Sequence, residues 1–507
     1  MDLIHIHRAD NVALSRAQLP AGSLVNWRGE LLELVTDVPA MHKVAVCPIA
    51  RGEAVLKYGQ AIGFASADIA AGEHVHEHNM TAGAHRPDYA FCSKVPAIDY
   101  IETSARASFQ GYRRANGRAG TRNFLAIVST VNCSVTVSRA IAAHFANSGV
   151  LRDFPNVDGI VALGHDSGCG MSTCDEGYRT LMRTLHGYIG HPNFAGVLLI
   201  GLGCEAMQVN SLLRDCGLET GPLFQALTIQ GSGGTRAAVQ AGVDKLTEML
   251  PSANACQREA IPASELTLAV QCGGSDAYSG MTANSALGAA ADLLVRHGGT
   301  VIYSETPEIY GAEHLLTRRA VAPEVAQKLV DRIRWWEHYT EINGVALNNN
   351  PSPGNKAGGL TTIAEKSLGA QAKGGTSALQ DVYLYAEQVR SKGLVFMDSP
   401  GFDPVSVTGQ IASGANVVCF TTGRGSAFGS KPVPCIKLAS NSALFRRMRE
   451  DMDIDCGGIV DGDYSVDECG EMIFQRILAI ASGEKSASER LDYGDNEFAP
   501  WRIGAVI

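Results

Sequence analysis

The 507 residues are 45% hydrophobic, include 55 glycines and carry a net charge of −10. This suits two to four α/β domains with many tight turns; it argues against a nucleic-acid partner but leaves an anionic small molecule open. The opening MDLIHIHRADNVAL lacks a signal-peptide pattern and no run suits a membrane span, so the thirteen cysteines read as reduced thiols or ligands in the cytoplasm.

Residues 1–80 are short β-like pieces (LIHIH, SLVNW, ELLELV, HKVAVCPI, AVLKYGQAIGFAS) between Gly, Pro and Asp turns, which predicts a small all-β module. Within it GEHVHEHN sets His74, His76 and His78 at alternate positions, one face of a strand, reading either as a metal site or as an exposed edge. His42, in AMHKVAV, is a lone histidine that reaches the main site or stays structural. Residues 81–110 have weak periodicity and read as a linker.

From residue 111 the texture changes. Strands expected at 124–130, 158–163, 196–201, 226–229, 267–271 and 300–304 alternate with helical stretches such as EGYRTLMRTLHGYI and ALGAAADLLVRHG. That alternation predicts a mainly parallel sheet over 111–345. PEVAQKLVDRIRWWEHYTEIN, a helical hairpin-like stretch, closes the block. Apolar runs at 394–397, 416–420 and 433–437 make 346–507 a C-terminal α/β domain, either separate or returning into the same sheet.

Cys133, Cys169, Cys204 and Cys272 each follow a short apolar run. Loops leaving the carboxyl ends of parallel strands gather on one edge, where ligands bind. Four thiols there, with His165, Glu205 and Asp276, suit a metal or carbon-acid chemistry; the alternative is free cysteines acting as small hydrophobes. In GHDSGCGMSTCDE, His165 and Cys169 are ligands for Fe(II), Mn(II) or Zn(II). CGGSDAYSG offers Ser275 and Asp276 in an anion cradle without Walker spacing. SETPEIYGAEH places Glu305 and Glu308 at a strand end as metal ligands or bases, with Glu313 and His314 on a solvated helix surface. In NNNPSPGNKAGGLTT, Pro351 and Pro353 argue against a regular helix, while Asn355 and Lys356 supply donors for a substrate. Arg424 in TTGRGSAFGS is an apt carboxylate fork.

Together HKVAV, KYGQAIGFA, GYRRANGRAGTRN, GLGCE, CGGSDAYSG, NPSPGNKAGG, EKSLGA and TTGRGSAFG resemble the altronate/galactarate dehydratase family along nearly the whole chain. PNVDGIVALGHDSGCG and PNFAGVLLIGLGCE are closer to galactarate dehydratases, and ETPEIYGAEHLL to altronate dehydratases. The resemblance implies a β-clip (SAF-like) N-terminal domain before the α/β domains. It also implies a hydro-lyase that turns a six-carbon sugar acid into a 2-keto-3-deoxy acid with Fe(II) or Mn(II). The matching motifs carry over Cys169, Cys204, Cys272, Ser275, Asp276, Asn355, Lys356 and Arg424. The expected metal ligands are His165, Cys169, Cys204, Cys272, Asp276 and Glu308. Lys356, His165 and His42 are the expected proton-transfer groups, and Ser275, Ser352, Asn355 and Arg424 the substrate contacts. An iron–sulfur cluster on the four strand-end cysteines, or three of them, is the alternative cofactor. The expected partners are a sugar acid and further copies of the chain. A sulfo-lyase acting on a sulfonated hydroxy acid and a non-catalytic sugar-acid binding protein are the competing functions.

Overall fold

The computed structural model describes residues 2–83 and 88–504, so part of the expected linker, 84–87, lies outside the described residues. The N-terminal region is all β. Leu3–Ile4, Val12–Ser15, Lys43–Ala45 and His74–Val75 form one antiparallel sheet, and Ala54–Lys57, Gln60–Ala65 and Met80–Thr81 another. Val12, Ala45, Ile49, Val55, Ile62 and Val75 fill its core.

Two lysines leave that core for the rest of the chain. Lys43 and Lys57 converge on Glu365 at 2.8 and 2.9 Å, all three side chains essentially inaccessible to solvent. Burial alone would raise the Glu365 carboxyl, but the two ammonium groups bring it down to about 2. Glu365 belongs to the helix Ile363–Gln371, which this triad ties to the N-terminal domain. Beyond the domain the chain runs along the C-terminal unit, where Cys92, Lys94 and Ile101 N–H groups donate to the carbonyls of Thr317, Arg318 and Arg296.

Two parallel sheets follow. The first has the spatial order Gly159–Leu163, Phe124–Ser129, Phe194–Gly201, Phe224–Thr228. The second has seven strands in the order Leu379–Tyr383, Gly393–Met397, Thr300–Ser304, Thr267–Cys272, Val417–Thr422, Cys435–Ala439, Ile454–Asp455. Runs such as FAGVLLIG and GLVFM are buried on both faces because helices cover both sides. Strands from either side of residue 345 share the second sheet, so the chain returns into it after 346. Thr267–Cys272 stands where the strand order reverses, the place where open parallel sheets bind ligands.

The amino ends of the two sheets are knitted together. Asn416 accepts from Thr267 N–H and donates to the carbonyls of Ala119 and Glu265, while Asn193 donates to Thr121 Oγ1 and to the Pro432 carbonyl. Among the described residues no helix is long and apolar enough to cross a membrane.

Three expectations change. Pro323–Ile342 is one helix and not a hairpin, because Ala326, Leu329, Val330, Ile333 and Trp336 keep a single buried stripe without an internal breaker. Pro353–Ala357 is a short helix despite its proline: Ser352 caps it, and Pro353 takes the first turn, where no N–H donor is needed. Glu313 is buried and not on a solvated face, since the four-residue helix His314–Thr317 turns it inward and its Oε2 accepts from Gly311 N–H at 2.6 Å.

Candidate active site

At the carboxyl end of the seven-stranded sheet a set of charges is sealed from water. Val270 pairs with Tyr303 across adjacent strands, so Cys272 and Glu305 leave the sheet at matching height. Lys373 Nζ lies 2.9 Å from Cys272 Sγ and 3.4 Å from Glu305 Oε2. Lys366 Nζ lies 2.5 Å from Glu308 Oε1 and 2.8 Å from Asn350 Oδ1, and Asn350 donates to the same Glu308 oxygen at 3.0 Å.

Each position has a local cause. The turn bearing Lys373 presses on Gly288, where any Cβ would stand 2.1 Å from the Ala372 carbonyl oxygen. Glu305 sits at φ +74°, a left-handed conformation that costs a non-glycine residue about 1–3 kcal/mol. Its Oε1 is buried without a hydrogen-bond partner.

Burial raises Glu305, with Glu308 adding repulsion, and burial pushes the Cys272 thiol up to about 11 against the pull of Lys373. Burial would also raise Glu308, but Lys366 and Lys373 hold it low, as a carboxylate. Among the described residues, Cys272, Glu305 and Glu308 are the group whose ligand atoms all come within 4.8 Å of one another. A thiol and two carboxylates, one of them with an orphaned oxygen, fit a divalent cation.

The loop beside this centre reaches the N-terminal domain. Asn355 donates to the Ser275 carbonyl at 2.9 Å, and Ser352 Oγ donates to Asn355 Oδ1, so both side chains build the loop. Lys356 pairs with Glu77 of the β domain at 2.5 Å. His42, His74, His76 and His78 pack together, with ring centroids of neighbouring rings 4.9–5.5 Å apart. His42 Nδ1 is 3.0 Å from His74 Nε2; His76 Nε2 and His42 Nε2 face the carbonyls of Lys356 and Ala357 at 3.1 and 3.4 Å. Burial and the neighbouring rings lower His42 to about 4 and His74 to about 3, so both rings are neutral.

Several expected ligands lie elsewhere or are already engaged. His165 is buried with Nε2 donating to Ser129 O at 3.0 Å and Nδ1 accepting from Ser167 N–H at 3.2 Å. Neither nitrogen is left for a metal or a proton. Asp276 accepts from Ser279, Ser440 and Asn441 side chains and from the Tyr278 and Ser279 N–H groups, a strut inside its loop and not an open ligand. The four cysteines do not share one edge: Cys272 ends a strand of the large sheet, while Cys133, Cys169 and Cys204 are exposed on loops of the four-stranded sheet. Arg424 is exposed, its N–H bonded to the Gly274 carbonyl at 2.9 Å, next to Ser275.

Lys366 and Lys373 were not anticipated. Their one signal is position: two lysines among the small residues of AEKSLGAQAKGG, which has room for little else.

All three parts of the chain match known families. Residues 1–83 match the altronate/galactarate dehydratase SAF domain, 111–254 the second domain of D-galactarate dehydratase/altronate hydrolase, and 263–506 the C-terminal domain of D-galactarate/altronate dehydratase. The chain is 35% identical over 508 residues to an altronate dehydratase of Bacillus subtilis, covering 99% of both chains. It is 38% identical over 492 residues to the L-threo-forming galactarate dehydratase of Escherichia coli, covering 95% of this chain and 93% of that one. With the beta subunit of a (2R)-sulfolactate sulfo-lyase from Chromohalobacter salexigens it shares 33% over 402 residues, 78% of this chain and 97% of that one. The chain belongs to the D-galactarate/altronate dehydratase family.

Proposed function

We propose that this enzyme is a hydro-lyase dehydrating a galactarate- or altronate-type acid to a 2-keto-3-deoxy acid in the cytoplasm. The observation that carries the reading is the buried convergence of Cys272, Glu305 and Glu308 between two lysines. The reaction breaks the C2–H bond next to a carboxylate, so negative charge grows on a group already anionic. Those electrons then form the C2–C3 double bond as the C3–O bond breaks. The hydroxyl leaves as water after gaining a proton, and the enol tautomerises to the keto acid.

Cys272, Glu305 and Glu308 would hold the divalent cation, assigned as Fe(II) or Mn(II), which when bound supplies Lewis-acid polarisation of the substrate carboxylate. Lys366 and Lys373 keep positive charge beside the growing enolate, in a site where water does not screen it. His42, held neutral, is assigned the C2 proton, with His74 as its relay; Lys356 is assigned the proton donated to the leaving hydroxyl. Arg424 and the Ser275 hydroxyl bind the far end of the acid.

The test is keto-acid formation from galactarate and altronate by reduced, anaerobic protein with Fe(II) or Mn(II), with and without a chelator. One acid is expected to give chelator-sensitive product, and Glu308→Gln to lower kcat/KM by roughly 100-fold or more with the fold intact. No product from any sugar acid would overturn the reading. Sulfite release from sulfolactate would then favour the chemistry named for the sulfo-lyase relative.

A further inference from the structure

Free cysteines are among the most buried residues in proteins, and Cys419, Cys435, Cys456 and Cys469 obey that rule here. Cys133, Cys169 and Cys204 do the opposite. They lie in three loops that leave three neighbouring parallel strands, Phe124–Ser129, Gly159–Leu163 and Phe194–Gly201, at the same sheet edge.

Main-chain bonds join the loops next to each thiol. Asn132 N–H donates to Ser167 O and Met207 N–H to Gly168 O, both at 3.0 Å. Gly168, at φ +96°, lies so flat on the first loop that a Cβ would stand 2.2 Å from Thr130 O. The third loop is pinned from below: buried Glu205 accepts from Thr130 Oγ1 at 2.8 Å and from the N–H groups of Leu202 and Gly203. Each loop is thus fixed while its thiol faces solvent.

The three thiols are not among the ligand groups that close to within 4.8 Å, so they are not gathered around a single ion. A cluster of several irons meets one thiolate per iron at separate corners, which is the arrangement three rigid, adjacent loops present. A cavity of about 580 Å³ lies next to two of these loops. Asn132, His165 and Asp166 of the thiol loops line one side, and Pro400 and Phe402 the other. Gly401, between those two, packs on Glu308, where a Cβ would come 3.1 Å from its Cγ.

We infer that Cys133, Cys169 and Cys204 hold a four-iron iron–sulfur cluster, one iron of which has no protein thiolate. The site is separate from Cys272, Glu305 and Glu308. The presence of the cluster does not rest on the dehydratase reading.

The test uses the full chain, reconstituted without oxygen from ferrous iron and sulfide and cleared of unbound iron. Visible charge-transfer absorption, the EPR signal after reduction, and iron and acid-labile sulfide per chain are then read. About four of each are expected. The variants Cys133→Ser, Cys169→Ser and Cys204→Ser should each cut bound iron roughly tenfold and the triple variant should abolish the absorption, with an unchanged circular dichroism spectrum. Cys47→Ser, an exposed thiol of the β domain, should retain both.

Iron without sulfide, no chromophore, or a chromophore that survives in the triple variant would overturn the inference. Dehydration without a cluster would sink this inference alone. A cluster without turnover of any sugar acid would sink the function alone.

Discussion

Among single residues, Asp276 shows how an acidic side chain in a site loop can be spoken for. Its carboxylate holds the strand-end loop to Ser440 and Asn441 while serving its own turn. Asp276→Asn would put an NH2 group against these donors. It should cost about 3 kcal/mol, read as a lowered urea midpoint at an unchanged slope. A side chain acting only on a metal would leave that midpoint where it was. The same accounting explains why Lys366 and Lys373 were hard to see in the sequence. Charges within a helical pattern ordinarily face water. Here Lys373 meets Cys272 from 101 positions away and Lys366 meets Glu308 from 58 away, a closeness no local pattern carries.

Among elements, legibility follows burial. The strands at 124–129, 194–201 and 300–304 announced themselves because a run buried on both faces is apolar almost throughout. Leu379–Tyr383 and Ile454–Asp455 did not: the first includes Gln380 and Asp381, and the second is two residues long. For a related reason the glycine-rich loop of His165 reads as an open ligand in sequence, while in the structure it folds back to bond both ring nitrogens. The helix Ile363–Gln371 docks the β domain through Glu365, whose carboxylate meets both lysines, and through Leu368, which packs in that domain's core. Glu365→Gln keeps the shape but leaves two buried ammonium groups without a counter-charge, a loss of about 3–5 kcal/mol. The expected readout is faster proteolytic cutting between the β domain and residue 108, ahead of global unfolding.

For the whole molecule, several histidines are held neutral by their surroundings. Burial sets His165 at about 4 and His191 at about 3, below the ordinary 6.5, as it does for His42 and His74. As pH falls below 6.5 the unfolded chain takes up protons that the folded chain refuses, so stability declines from there toward pH 4. His165 and His191 should each remove about 1.4 kcal/mol per pH unit in that window. Glu365, lowered to about 2, adds to the same trend only below its ordinary 4.5. Urea midpoints at about pH 7.5 and about pH 5.5 check the sign, which is a lower midpoint in acid.

The triad of Lys43, Lys57 and Glu365 also bears on the order in which the chain is made. The lysines precede their partner by 322 and 308 positions. At roughly 5–20 residues per second, a ribosome needs about 15–65 s to deliver Glu365 after them. Throughout that interval the carboxylate that both ammonium groups meet in the folded chain has not been made. Vectorial synthesis therefore makes docking of the β domain a late event, since Glu365 is among the groups it docks on.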